Sequence, residues 1–305
     1  MTYHPEGRTA EEFSIPTEVF TSSRKPQILT IKGKVNLTHH TDINFFTPEK
    51  GEKAKYRAKR PKDEYEIILE RRRQQLLKNN NIKSIHENAE KLMRQLTPEG
   101  TWAGIDYQCT FRTYWEPSEH LNRIIALALG YTHPKSKLYG NSQLYMAICK
   151  AAEKWNEYKP KSCNWYHNEI PVPQRMADIL TLMDAGISKL PKATVEGFMD
   201  MMKDNDPRKW TGANNMDIAF HHLLRGCVMK NDSVVSTTVD EFFQPLRISK
   251  DEGIRADMAY HQHGKQLYIG GYGYVFLENV SKVAPLLTVH ALPSAKKSSI
   301  CSVRS

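Results

Sequence analysis

Residues 64–96 read EYEIILERRRQQLLKNNNIKSIHENAEKLMRQL. Tyr65, Ile68, Leu69, Arg72 and Leu76 recur at steps of three and four, which places them on one face of a helix. After the asparagine break, Ile82, Ile85, Ala89, Leu92, Met93 and Leu96 repeat that spacing. Two amphipathic helices joined by a short polar turn make a helical hairpin. The pattern continues down the chain. Leu121, Ile124, Ile125 and Ala128 predict a third helix, ended by Gly130 and Pro134. Leu144, Tyr145, Ile148, Ala151 and Trp155 predict a fourth, with Ser142 as its N-cap. Pro173 suits the first turn of a fifth, whose apolar positions are Met176, Ile179, Leu180 and Met183, closed by Gly186. Further helices fit 192–203, 215–229, 234–245 and 273–287. No repeat of fixed period runs through them. Hairpins of this kind fit an α/α toroid or incomplete barrel as well as a bundle.

Upstream, QILTIKGKVNLTHH alternates in the manner of a strand, so residues 1–61 read as the remnant of a small β module or as an irregular arm. Residues 62–287 form the helical domain. Residues 288–305, TVHALPSAKKSSICSVRS, depart abruptly in composition and read as an aberrant or disordered tail. Hydrophobic residues are 40% of the 305, enough for a sizeable core. No apolar run reaches the roughly 18 residues a membrane helix needs, so no membrane insertion is expected. The N-terminus, MTYHPEGRTAEEF, shows no basic start followed by an apolar run, so no signal peptide is visible.

Net charge is +9 and unevenly spread: KAKYRAKRPK at 53–62 holds six Lys or Arg, followed by Arg71, Arg72 and Arg73. Such blocks suit polyanions, though they are more often solvated faces. No nucleic-acid motif accompanies this one, so no nucleic-acid partner is expected. The five cysteines are scattered, with no CxxC pair, and excluding the tail's Cys301 they read as small buried apolar residues. His221-His222 and His261-x-His263 lack carboxylates at matching spacing, so no metal or other cofactor is expected.

Three stretches between the helices carry unusual residues. SCNWYHNEIP (162–171) sets Trp165 and Tyr166 among polar groups, KWTGANNMD (209–217) places two asparagines after a small-residue turn, and HQHGKQLYIGGYGYVF (261–276) puts His263 nine residues before Tyr272. Glycines flank that tyrosine, as where backbone approaches something closely or takes a positive φ. Aromatic side chains in a polar loop serve interface packing or stack on the C–H faces of sugar rings. A toroid would gather all three stretches at one end.

Together NWYHNEI, WTGANNMDIA and QHGKQLYIGGYG, with EGTWAGIDYQ…EHLNRIIALALGY at 99–131, resemble in order and spacing the signature segments of the polysaccharide lyase family that contains chondroitin AC, hyaluronan and xanthan lyases. The resemblance covers roughly residues 85 to 285. It implies a mainly α fold, the incomplete α/α toroid, with the family's C-terminal β domains absent. It also implies a monomeric, exported enzyme, periplasmic or secreted, acting on acidic polysaccharide.

By position in the motifs, the resemblance assigns Asn214 to the uronate carboxylate. It makes His263 and Tyr272 the catalytic histidine and tyrosine, and Trp165 and Tyr166 the sugar-stacking pair. The second member of that pair is a tyrosine here, with a smaller face. The implied reaction is β-elimination from a uronate of chondroitin sulfate or hyaluronan. The C5 proton is weakly acidic, so the carboxylate must be neutralised and a positioned base must take the proton. A phenol ordinarily titrates near pH 10, so a phenolate at neutral pH needs neighbouring positive charge. The resembling enzymes carry an arginine and a glutamate for this well downstream of the tyrosine motif. Neither position falls within 305 residues, so a truncation or frame disturbance near 287 and impaired turnover are expected. The alternative is a non-catalytic binder of acidic polysaccharide. Among neighbouring residues, Asn215 is a candidate cap for the helix after TGAN, and Asn168 and Glu169 are candidates to hold their loop. His221 and His222 read as structural, and His261 as a satisfied neighbour of the site.

Overall fold

The computed structural model describes residues 63–78 and 81–287, and the backbone of three strands, Thr2–Tyr3 (β1), Ser14–Phe20 (β2) and Pro26–Lys32 (β3). The chain divides into two compact units, Met1–Pro61 and Lys62–Ser305. In the first, β3 lies centrally, antiparallel to β2 and parallel to β1, with Ile15 opposite Ile31. The basic block at 53–62 and the tail at 288–305 lie outside the described residues.

The second unit is helical: α1 (Glu64–Lys78), α2 (Ile82–Gln95), α3 (Ser118–Thr132), α4 (Ser142–Tyr158), α5 (Trp165–Glu169), α6 (Pro171–Asp184), α7 (Lys192–Lys203), α8 (Gly212–Met229), α9 (Asp232–Phe243) and α10 (Tyr272–Val283). Helices α3, α6, α8 and α10 pack in sequence as one row, and α2, α4, α7 and α9 pack against it. Helix α1 crosses the other face of α6 and α8, so both are covered on two sides and are buried nearly all round. This double-layered row of hairpins is an arc of an α/α toroid. Between α9 and α10 stands a small antiparallel sheet that the apolar pattern did not predict: Gly253–Ile254 (β4), Tyr260–Gln262 (β5) and Gln266–Leu267 (β6).

Asparagines start the helices. Asn81, Asn141, Asn164 and Asn231 each accept a backbone N–H of the following first turn through the side-chain oxygen. Asn141, rather than Ser142, therefore caps α4. Gly130 does not end α3, which continues to Thr132. A Cβ there would stand 2.5 Å from that of Ala89, so this glycine permits the close approach of α2 and α3. Pro171 opens α6, Pro173 sits within its first turn, and Gly186 donates its N–H to the Met183 carbonyl just past its end.

Arg72 stands on the apolar face of α1, and the structure shows why. Its Nε and Nη2 each donate to Asp178 of α6 at 2.8 Å, and its guanidinium lies 5.0 Å from the centre of the Phe220 ring of α8. One side chain thus fastens three helices. A second buried polar knot joins α3 to α4. Tyr107 donates through Oη to His120 Nδ1 at 2.7 Å, and His120 Nε2 donates to the Ala151 carbonyl at 2.9 Å. Burial pushes the His120 imidazole from an ordinary 6.5 down to about 4.

Removing one member of a buried ion pair strands the other, so Arg72→Ala should cost about 3–5 kcal/mol in urea unfolding, while the paired change Arg72→Met with Asp178→Leu should recover most of it. Unchanged stability in Arg72→Ala would refute the strap. For His120 the neutral form is the folded one. Below pH 6.5 the unfolded chain binds the proton first, so stability falls as pH drops from 6.5 towards 4, by about 3 kcal/mol. Urea midpoints measured against pH should lose most of that slope in His120→Gln.

Candidate active site

The aromatic segment is a helix rather than a loop. Asn164 caps α5, and its Nδ2 donates to the Arg112 carbonyl at 2.9 Å, tying the turn to the 110–114 segment. Asn168 brackets Ser162, accepting its N–H and donating to its carbonyl. Trp165 stacks on Trp210 with ring centres 4.1 Å apart and planes 19° from parallel. Trp210 in turn donates Nε1–H to Glu169 at 3.1 Å. Asn168 and Glu169 therefore do hold the segment. Trp165 and Tyr166 remain 38% and 44% exposed, leaving ring surface open to a ligand. Cys163, expected to be buried, is exposed and donates to the Thr110 carbonyl.

The TGAN turn is the first turn of α8. Gly212 has φ +55°, and a Cβ there would meet Gln262 Oε1 at 2.2 Å and Tyr260 Oη at 2.7 Å. That close approach lets strand β5 dock on the helix end, where the Ala213 N–H donates to Tyr260 Oη at 2.9 Å. Asn215 is not a cap: it lies inside α8 and donates to the Pro207 carbonyl. Asn214 is nearly buried, yet its amide has no hydrogen-bond partner among the described residues.

The turn that follows strand β5 carries the histidine. His263 and Gly264 form the turn to β6 with φ of +56° and +77°. A left-handed histidine is held by its surroundings, not by its own preference. Glu252 does the holding. It accepts from Thr211 Oγ1, from Gln262 Nε2 and, at 2.8 Å, from the Gly264 N–H. His263 then meets Tyr272, the first residue of α10, with ring centres 4.9 Å apart and planes at 85°. Tyr268 completes an aromatic triangle, 6.0 Å from His263 and 5.2 Å from Tyr272.

The flanking glycines have definite jobs: Gly271 takes φ +54°, and a Cβ on Gly273 would stand 2.8 Å from the Tyr268 carbonyl. Tyr166 lies within electrostatic reach of Tyr272, linking the aromatic platform to the histidine–tyrosine pair, and burial foremost, then Asp217, raises its pKa. His221 and His222 are buried and bonded to the carbonyls of Glu169 and Asn205, and His261 is bonded to that of Lys265, all structural contacts. Among the described residues, no three His, Cys, Asp or Glu side chains gather as metal ligands would, and no helix is long and apolar enough to cross a membrane. Glu252, Trp210 and Tyr260 escaped the sequence reading. The alternation Tyr260-His261-Gln262 before Gly264 was the available signal, but a three-residue strand gives too short a pattern to separate from a loop.

The toroid arc thus carries a histidine–tyrosine pair, an asparagine unpaired among the described residues and an exposed aromatic platform. Residues 67–293 match polysaccharide lyase family 8, N-terminal alpha-helical domain, and the chain belongs to this family. Chondroitinase-AC of Pedobacter heparinus is 36% identical over 218 residues, 70% of this chain and 31% of that protein. Xanthan lyase of Bacillus sp. (strain GL1) is 29% identical over 177 residues, 54% of this chain and 19% of that protein. A solved chondroitinase AC lyase superposes with a TM-score of 0.72 at 34% identity, covering 76% of this chain and 34% of the other. The chain thus spans a third or less of the length of these relatives.

Because any side chain at Gly212 would push β5 off α8, Gly212→Ala should destabilise the protein by about 1–3 kcal/mol. It should also release the Gly264 amide to faster hydrogen exchange. Wild-type exchange in the variant would mean that the helix end does not hold the hairpin.

Proposed function

We propose that this chain carries the uronate-binding and proton-transfer part of a lyase that cleaves chondroitin sulfate or hyaluronan by β-elimination. The observation that carries the proposal is the edge-to-face pairing of His263 and Tyr272, 4.9 Å apart, on a hairpin docked at the helix turn that bears Asn214. In the reaction, the amide of Asn214 and an imidazole N–H of His263 donate to the uronate carboxylate, so that charge left at C5 spreads into an enolate-like group. Tyr272 takes the C5 proton. The C5–H electrons form the C4=C5 double bond as the C4–O bond breaks, and the departing glycosidic oxygen takes the proton back from Tyr272. His263 is the alternative base. Trp165 and Tyr166 offer stacking surface to the neighbouring sugars. The partner is the polymer, bound by a single copy. Because such a polymer does not cross membranes, the work belongs in the periplasm or outside the cell.

The unsaturated uronate product absorbs in the ultraviolet where the substrate does not. Purified chain with chondroitin sulfate or hyaluronan should give a rising trace, reduced at least 100-fold in Tyr272→Phe and by about 10²–10³ in Asn214→Ala. A flat trace from folded protein that still binds polymer would sink the lyase proposal for this chain and leave a binding module.

A further inference from the structure

Arg175 lies near the start of α6, a few residues beyond the aromatic platform. Its Nε donates to Asn122 Oδ1 at 2.5 Å, and no carboxylate reaches it within ion-pair distance among the described residues. Asn122 is neutral and is itself committed, donating to Glu119 at 2.8 Å. Glu119 in turn leans on Arg123 at 3.8 Å. Among the described residues neither terminal nitrogen of the Arg175 guanidinium has a hydrogen-bond partner, and neither is sealed from solvent. Arg72 of α1 shows the alternative: its Nε and Nη2 grip Asp178, and its Nη1 donates to Gln75. Partial burial of a cation without a contacting carboxylate is costly, and here it pulls the arginine's pKa below its ordinary value against the weaker opposing fields of Glu119, Tyr166 and Asp178. Tyr166, its near electrostatic neighbour, presents a half-exposed ring.

We propose that Arg175 is a substrate-binding residue whose free fork grips an anionic group, carboxylate or sulfate, on the sugar ring that lies against Tyr166. The inference rests on the lyase proposal above and adds a charge contact to its aromatic platform. A guanidinium presents parallel N–H donors at the spacing of two oxygens of either anion, whereas an ammonium does not.

The test is calorimetric binding of the full chain to two sets of oligosaccharides, hyaluronan (carboxylate only) and chondroitin 4-sulfate, with unfolding temperature measured alongside. Arg175→Gln should weaken binding by about 10–100-fold, the worth of a charged hydrogen-bonded contact. Arg175→Lys, which keeps the charge and the packing but not the fork, should recover only part and serves if the glutamine variant unfolds. Loss on both sugars identifies the carboxylate as the group held, and loss on the sulfated sugar alone identifies the sulfate. Wild-type affinity for both in the variants overturns the proposal while leaving the lyase proposal standing. Failure of the wild-type chain to bind either sugar overturns the two together.

Discussion

The N-terminus of α8 is the constraint from which the rest of the site follows. A helix begins with backbone N–H groups that have no partner inside it, and something must take them. Here Tyr260, reaching in from β5, takes the Ala213 N–H, so the hydroxyl of Thr211 is left to bind Glu252 instead. Glu252 also holds Gln262 and the Gly264 N–H. One carboxylate thereby binds helix end, strand and turn together, and the left-handed His263 is the residue they force into place. Gly212 is required because nothing larger lets the strand come close enough.

The framework behind this end is fixed by buried polar groups that leave no choice of packing. Among the described residues Arg72 pairs with one carboxylate, Asp178, and lies over one aromatic face, Phe220, which fixes how α1 crosses α6 and α8. Whether such a pair adds net stability over apolar residues is secondary, since a misplaced register would strand a charge at a cost of several kcal/mol. The Tyr107–His120–Ala151 chain acts in the same way between α3 and α4.

The helices were legible in the sequence because their periodicity extends over ten or more residues, and Arg72 was visible on an apolar face although its purpose was not. What escaped detection was local and tertiary in origin. Gly130 resembles a helix stop, yet it is a contact glycine, a role set by Ala89 some forty residues away in the chain. Asn141 and Ser142 are adjacent and both good caps, and propensity alone cannot order them. The candidate residues Trp165, Tyr166, Asn214, His263 and Tyr272 came from motifs, whereas their supports Glu252, Tyr260 and Trp210 came only from geometry. A supporting residue has no required spacing from the group it supports, so no sequence pattern encodes it.

The topology also brings several helix starts to one end of the helical unit. The start of α6 is tied to that of α3 through Arg175 and Asn122, the first turn of α8 holds β5, and α10 begins at Tyr272 beside His263. Consecutive helices of the packed row therefore start at the same end, as they must when each is separated from the next by an antiparallel partner. Each start carries roughly half a positive charge from its aligned peptide dipoles. An anion entering here would meet a field built from backbone dipoles. Backbone dipoles need no reorganisation when charge develops, which is the property that electrostatic stabilisation of an enolate-like state demands.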